Sequence, residues 1–167
     1  STLFPYTRSS DLDVLTPNAV HEMDILYLTH DRVKRKVYKY ALTVVDVASR
    51  YKEAEPMTSK TAVQVLQAVK VIYSRSPLKP PNLLKIDSGS EFKGEFKKWI
   101  VSRNTTLQVG EPGVHRSQGI VERFNRTLSE RLFGYQYTQE MLNPESRNVE
   151  WVTRLPDVVA ALNNETT

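Results

Sequence analysis

From Met23 the chain runs Met-Asp-Ile-Leu-Tyr-Leu, an apolar, β-prone segment interrupted by one acid at Asp24. A break at His30-Asp31-Arg32 reads as a turn, and a second β-rich run extends from Tyr38 to Val47. A third run, Lys52 to Met57, follows a short connection, so the three predict an antiparallel meander. The period then changes. Val63, Leu66, Val69 and Ile72 recur every three residues, which predicts a helix capped by Thr58 or Ser59 and ended by Pro77, Pro80 and Pro81. Leu83 to Asp87 is a short strand that stops at Ser88-Gly89, and Ser90 is placed to cap a helix carrying Phe92, Phe96, Trp99 and Ile100 as core residues. Leu107 to Val109 is another short strand. Gly110, Pro112, Gly113 and Gly119 mark 110–119 as a mobile loop. A long helix is expected from about Gln118 to Tyr135. A last one, from about Asn148 to Asn164, has an apolar face made of Trp151, Leu155, Val158, Val159 and Leu162. Residues 1–20, with Pro5 and Pro17, read as an irregular lead-in to one domain over 21–167. A meander followed by alternating helix and strand indicates an α/β domain with a mixed sheet.

Composition narrows the chemistry. The 167 residues suit a single domain with a real core, and 40% hydrophobic with 25% charged residues is ordinary for a globular chain. No apolar run approaches the roughly 20 residues of a membrane span, and nothing reads as a signal peptide. The absence of cysteine excludes disulfides and every thiolate zinc site. A net charge of +4, from 23 Lys+Arg against 19 Asp+Glu, agrees with a polyanionic partner without establishing one.

Three carboxylates stand where chemistry would want them. Asp24 lies inside an apolar strand, where its charge is costly unless compensated. Asp87 ends a second strand, the usual position for an active-site group in open α/β sheets. Glu122 lies one turn into a helix, 35 residues on from Asp87. Magnesium takes oxygen ligands, and a pair of such ions can serve both the attacking and leaving oxygens of phosphoryl transfer. Read singly, Asp87 could merely terminate its strand and Glu122 could be a favourable acid in a helix's first turn.

The words around these acids carry a resemblance. Val45-Asp46-Val47-Ala48-Ser49-Arg50-Tyr51-Lys52-Glu53-Ala54-Glu55, Ile86-Asp87-Ser88-Gly89-Ser90-Glu91-Phe92 and Ser117-Gln118-Gly119-Ile120-Val121-Glu122-Arg123-Phe124-Asn125-Arg126 come in order, with the 35-residue interval. They resemble the DDE-type catalytic core of retroviral and retrotransposon integrases over about residues 21–164. The stretch Glu130 to Tyr135 looks more like integrases of Polinton-type DNA transposons or related retroelements than lentiviral ones. The resemblance implies an RNase H-like fold, a mixed five-stranded sheet flanked by helices. It also implies two Mg2+ or Mn2+ ions held by Asp24, Asp87 and Glu122, and metal-dependent 3′-end processing and strand transfer of element DNA into target DNA. It implies a homodimer or higher oligomer, and a place in the nucleus or a virus-like particle. Departures are Ser88, where Asn is usual, and His115-Arg116, where a proline-containing turn is frequent. Family integrases also carry an amino-terminal zinc module and a carboxy-terminal DNA- or chromatin-binding module, so this chain reads as an excised core.

Further DNA contacts are expected at Gln118 and Gly119, which border the loop, and at Arg116, Arg123 and Arg126. A capping or turn role is the competing reading for the first two, and a solvated surface for the arginines. Lys34-Arg35-Lys36 and Lys93, Lys97 and Lys98 read as solvated faces, His115 as polar surface, and Asp46 as structural or a minor support. Two rivals stand beside the integrase. One is an RNase H-like nuclease that only cuts, for which Asp46 is the one obvious extra carboxylate. The other is a domesticated, inactive domain that binds DNA or protein.

Overall fold

The computed structural model describes residues 16–87, 89–110, 118–142 and 150–165. Strands β1 (Val20–Val33), β2 (Lys36–Asp46) and β3 (Lys52–Met57) form the expected antiparallel meander. Helix α1 (Ala62–Arg75) leads to β4 (Leu83–Ile86), and α2 (Glu95–Ser102) leads to β5 (Thr106–Val109). Both later strands pair in parallel, which requires crossovers of this kind, and the sheet order is β3-β2-β1-β4-β5. Helices α3 (Gly119–Leu142) and α4 (Leu155–Asn164) complete the chain.

Strand alternation sorts the side chains into two cores. Met23, Ile25, Leu42 and Val44 face α1 and α2, meeting Val65, Val69, Ile72, Phe96 and Ile100. Ala41 and Val45 face the other way, under Val121, Phe124 and Leu128 of α3 and Leu155, Val159 and Leu162 of α4. The result is a sheet between two helical layers. β1 lies at its centre.

Several boundaries differ from those the sequence suggests. His30-Asp31-Arg32 is not a turn; β1 runs through it, and the turn falls at Lys34-Arg35, where Lys34 takes φ 58°. The misleading signal is a bulge: Tyr27 pairs with Tyr40 and Asp31 with Tyr38, so β1 holds extra residues between them. On α1 the cap is Thr61, and the buried stripe is Val65, Ala68, Val69, Ile72 and Tyr73, while Val63 is 57% exposed. A strict three-residue step drifts around a 3.6-residue helix, so it cannot hold one face. Ser90 opens only a single 3-10 turn, and α2 starts after Gly94, whose φ of 61° breaks the continuity. Phe92 and Phe96 are core as expected, and Trp99 is half-buried against it. The long helix extends beyond Tyr135 to Leu142. The last helix begins at Leu155, with Pro156 in its first turn, and not near Asn148, which lies outside the described residues. The expected loop at 110–119 falls mostly on 111–117, also outside them.

Trp151, expected on that last helix, instead precedes it as a fully buried anchor. Its indole donates to Thr29 O at 2.7 Å. Asp31, itself buried, accepts the backbone N–H of Trp151 at 2.9 Å and of Val152 at 2.8 Å. A carboxylate on the bulged strand thus docks the approach to α4. Asp31→Ala leaves two buried N–H groups unmet and should destabilise the domain by roughly 3 kcal/mol, whereas Asp31→Asn keeps a carbonyl acceptor and should cost about 1 kcal/mol. Urea unfolding of both variants checks the order, and equal midpoints would remove the docking role.

Candidate active site

The even-numbered residues at the start of β1 put polar groups on the α3 face. Glu22 is 3% exposed, and its Oε1 accepts the N–H of Ile120 and of Val121, each at 3.0 Å. Those are orphan donors of the first turn of α3, which any helix must satisfy from outside. Burial raises the Glu22 carboxyl above its ordinary value, against the pull of those two N–H groups and of the Lys85 and Arg50 charges. Between them, Gln118 is buried and its amide donates to Met23 O at 3.4 Å.

Asp24, half-buried, sits two residues further along the same face. Asn125 Nδ2 donates to its Oδ2 at 2.9 Å, and Thr43 Oγ1 donates to its main-chain oxygen at 3.2 Å. Burial pushes the Asp24 carboxyl up to about 6, and the charges of Asp87 and Glu122 push in the same direction. Hydrogen bonds from Ile25 N–H and Asn125 oppose the rise. Asp24 on β1 is thus near enough to Asp87, at the end of β4, and to Glu122, in the first turn of α3, to feel both charges. Asp87 is held by its own turn, its Oδ1 accepting Gly89 N–H at 2.9 Å.

The donor set suits a hard divalent cation: carboxylate oxygens, with the buried Asn125 Oδ1 lacking a hydrogen-bond partner among the described residues. As they stand, no three of the described His, Asp and Glu side chains lie close enough to hold one ion directly between them. The fit therefore rests on the chemistry of the donors and on their convergence.

The other expected site residues are distributed differently. Gln118 points into the protein as a strut to β1, and Gly119, exposed, is the first residue of α3. Arg123 and Arg126 are exposed on α3. Arg123 borders a cleft of about 270 Å³ with Arg50 and Lys52, over a floor that includes Val45, Phe124 and Leu162. Arg116 lies outside the described residues. Asp46 is buried at the end of β2, paired in register with His21, and by strand alternation it faces the other side of the sheet from Asp24. It accepts Asn18 N–H at 2.9 Å and the N–H and hydroxyl of Ser49 at 2.9 and 2.6 Å, a structural role as expected. Sequence reasoning did not single out Glu22 or Asn125. Their signal was available as spacing: Glu22 is two before Asp24 on a strand, and Asn125 three after Glu122 on a helix.

The fold defines the class first. The chain superposes on the HTLV-2 integrase catalytic core domain in complex with magnesium (dimeric form) with a TM-score of 0.67, at 21% identity, covering 92% of this chain and 91% of that one. Against the simian T-cell lymphotropic virus intasome the TM-score is 0.71, again at 21% identity, over 92% of this chain and 51% of that one. The architecture is the RNase H-like fold of retroviral integrase cores. The model of the integrase core domain matches residues 15–115, so the chain belongs to the integrase core domain family. The Gag-Pol polyprotein of Walleye dermal sarcoma virus is 34% identical over 58% of the chain. The intracisternal A-particle Pol-related polyprotein of mouse is 30% identical over 78% of it. A transposon-derived protein of Caenorhabditis elegans is 29% identical over 75% of the chain and 41% of its own length. The chain spans only 6% and 14% of the two polyproteins.

The raised Asp24 carboxyl has a consequence for stability. An acid whose folded pKa rises from 3.8 to about 6 stabilises the fold fully below pH 4, and this is lost as pH rises through 6. Asp24→Asn removes the ionised form while keeping an acceptor for Asn125. At pH 7 the variant should be more stable than wild type by on the order of 2 kcal/mol, after discounting for partial exposure. The difference should vanish by about pH 4. His21, whose pKa burial lowers to about 4, contributes with the opposite sign in both proteins and cancels in the comparison. Denaturant melts at pH 7 and pH 4 check this, and a variant less stable than wild type at pH 7 would refute it.

Proposed function

We propose that this chain is the catalytic core of a polynucleotidyl transferase that processes the 3′ ends of an element's DNA and joins them to target DNA. The observation that carries the reading is the placement of Asp24 on β1 within the electrostatic reach of Asp87, at the end of β4, and of Glu122, in the first turn of α3, a repulsion that a cation would relieve. Membership of the integrase core domain family supports it.

Asp24, Asp87 and Glu122 would hold two Mg2+ or Mn2+ ions, as the magnesium complex of the HTLV-2 core encourages. Such ions lower the barrier by favouring the attacking oxygen and stabilising the leaving one. Asn125 fixes the orientation of Asp24 through its amide. In the first step the oxygen of water forms a bond to phosphorus near the DNA end and the 3′ oxygen leaves as the new hydroxyl. In the second, that hydroxyl attacks a target phosphate, and the target strand's own 3′ oxygen leaves. Both steps need the same geometry, so one site serves both. Arg123 and Arg126 would neutralise phosphates beside it, with Arg116, Gln118 and Gly119 at the DNA end; for Gln118 this requires its side chain to leave Met23.

A homodimer or higher assembly fits the dimeric and trimeric forms and the intasome among the structural neighbours. No helix of the described residues is long and apolar enough to cross a membrane. Relatives in Pol polyproteins support action in the nucleus or in a virus-like particle. A nuclease that only cuts gains no support from Asp46, whose carboxylate is already engaged by Asn18 and Ser49.

Asp24→Asn, Asp87→Asn and Glu122→Gln should each lower strand transfer on a labelled DNA end with Mn2+ by at least about a hundredfold, the scale of losing one group that stabilises transition-state charge. Circular dichroism should stay that of the folded domain. Near-normal transfer by any one variant would take that residue out of the site, and a wild type that cuts without joining would favour the nuclease.

A further inference from the structure

The buried carboxylate of Glu22 belongs to none of the roles above. It lies on β1, one alternation before Asp24, and reaches across to the first turn of the helix that carries Glu122. Ile120 and Val121, its two partners, directly precede Glu122. One strand therefore bears a proposed metal carboxylate and also the post that fixes the helix bearing another. The register adds a counterion. Glu22 pairs in parallel with Lys85 of β4, whose charge favours its ionised form. Continued past the end of β4, the same offset would set Asp24 level with Asp87, so the opposite-charge pair lies just before the acids of the site.

We propose that Glu22 is a positioning residue: by accepting the N–H groups of Ile120 and Val121 it sets the height and rotation of α3, and so the placement of Glu122 against Asp24 and Asp87. The proposal rests on the reading of those three acids as the catalytic centre. It requires reach and an acceptor oxygen at residue 22, and does not require its charge.

Two conservative variants separate these properties. Glu22→Gln keeps the length and an oxygen that can accept both N–H groups, while Glu22→Asp keeps the charge and loses one methylene of reach, about 1.5 Å. Misplacement on the 1 Å scale costs on the order of a hundredfold in a positioned reaction. For Glu22→Asp, kcat on a DNA-end substrate should fall at least about tenfold with KM for DNA little changed, and Mn2+ affinity by titration calorimetry should weaken about tenfold. Amide exchange at Ile120 and Val121 should accelerate in the same variant. Glu22→Gln should recover most of each loss, to within about threefold of wild type. Wild-type values for Glu22→Asp, or a Glu22→Gln protein impaired as badly as Glu22→Asp, would overturn the proposal while leaving the catalytic reading intact. A wild type that neither binds Mn2+ nor transfers strands would overturn both.

Discussion

The structure depends on a single kind of interaction: acids of β1 accepting hydrogen bonds from groups on the helical layer that packs over them. Glu22 takes two N–H groups from the start of α3, Asp24 takes the amide of Asn125 one turn further along, and Asp31 takes two N–H groups from the approach to α4. Each acid is costly to bury alone, and each helix start is costly to bury without acceptors. Putting the two together offsets both penalties, at geometries that apolar contact could not specify. Hydrophobic burial under α3 and α4 supplies the attraction, but a packed apolar face can slide. The carboxylates fix the register.

The opposite face of the sheet works differently. There Met23 and Ile25 meet α1 and α2 through apolar packing, with one polar exception at the beginning of β1. His21 is fully buried, its Nε2 near Asn18 Oδ1 at 2.9 Å and Asp46 Oδ1 at 3.4 Å, so Nε2 carries the proton and Nδ1 accepts from Tyr73 OH at 2.9 Å. This network ties the start of β1 to α1 and the end of β2, on the face of the sheet away from Glu22 and Asp24. It accounts for Asp46, an acid of the Val45–Glu55 segment, sitting with structural partners and apart from Asp24. The two acids are separated by the alternation of the strands: His21 and Asp24 are three residues apart on β1, so Asp46, opposite His21, lies on the other face.

Much of this was legible in the chain. β-prone runs gave β2, β3, β4 and β5 to within a residue or two and β1 only in its middle, three residues short at its start and five at its end, and the interval from Asp87 to Glu122 singled out the acids. What escaped was whatever depends on a partner distant in sequence. The bulge after Tyr27 disguised continuous strand as a turn, because Asp31 looks like a turn residue until Trp151 and Val152 are seen to need it. The start of α4 was misplaced for the same reason: an apolar run around Trp151 reads as helix, whereas its indole and backbone are committed to β1. Gly94 ended the Ser90 helix through a backbone conformation that hydrophobic periodicity does not encode. Glu22 passed unnoticed because an acid next to an apolar run resembles a strand's solvated edge, and only the position of α3 turns it inward.

The two rungs on the α3 face then explain how a carboxylate cluster can exist in a folded domain at all. In the lower rung Glu22 and Lys85 compensate each other while Glu22 anchors the helix. In the upper rung Asp24 and Asp87 have no such complement, Glu122 adds a third negative charge, and Asp24 responds with a carboxyl raised to about 6. Substituting a lysine at Asp87 would neutralise the upper rung from within, as Lys85 does below, but would leave no donors for an exchangeable cation. The sheet instead keeps the repulsion and contains it. On the proposed role of Glu22, the clamp beneath and the Asn125 hydrogen bond would oppose any movement of α3 away from Asp24. On the proposed reading a cation would still have to draw the acids closer, since no three of the described His, Asp and Glu side chains stand near enough to hold one ion between them. With α3 held by the carboxylate of Glu22, that closure would fall to side-chain rotation, and little of the attraction to the ion would be spent on moving the helix.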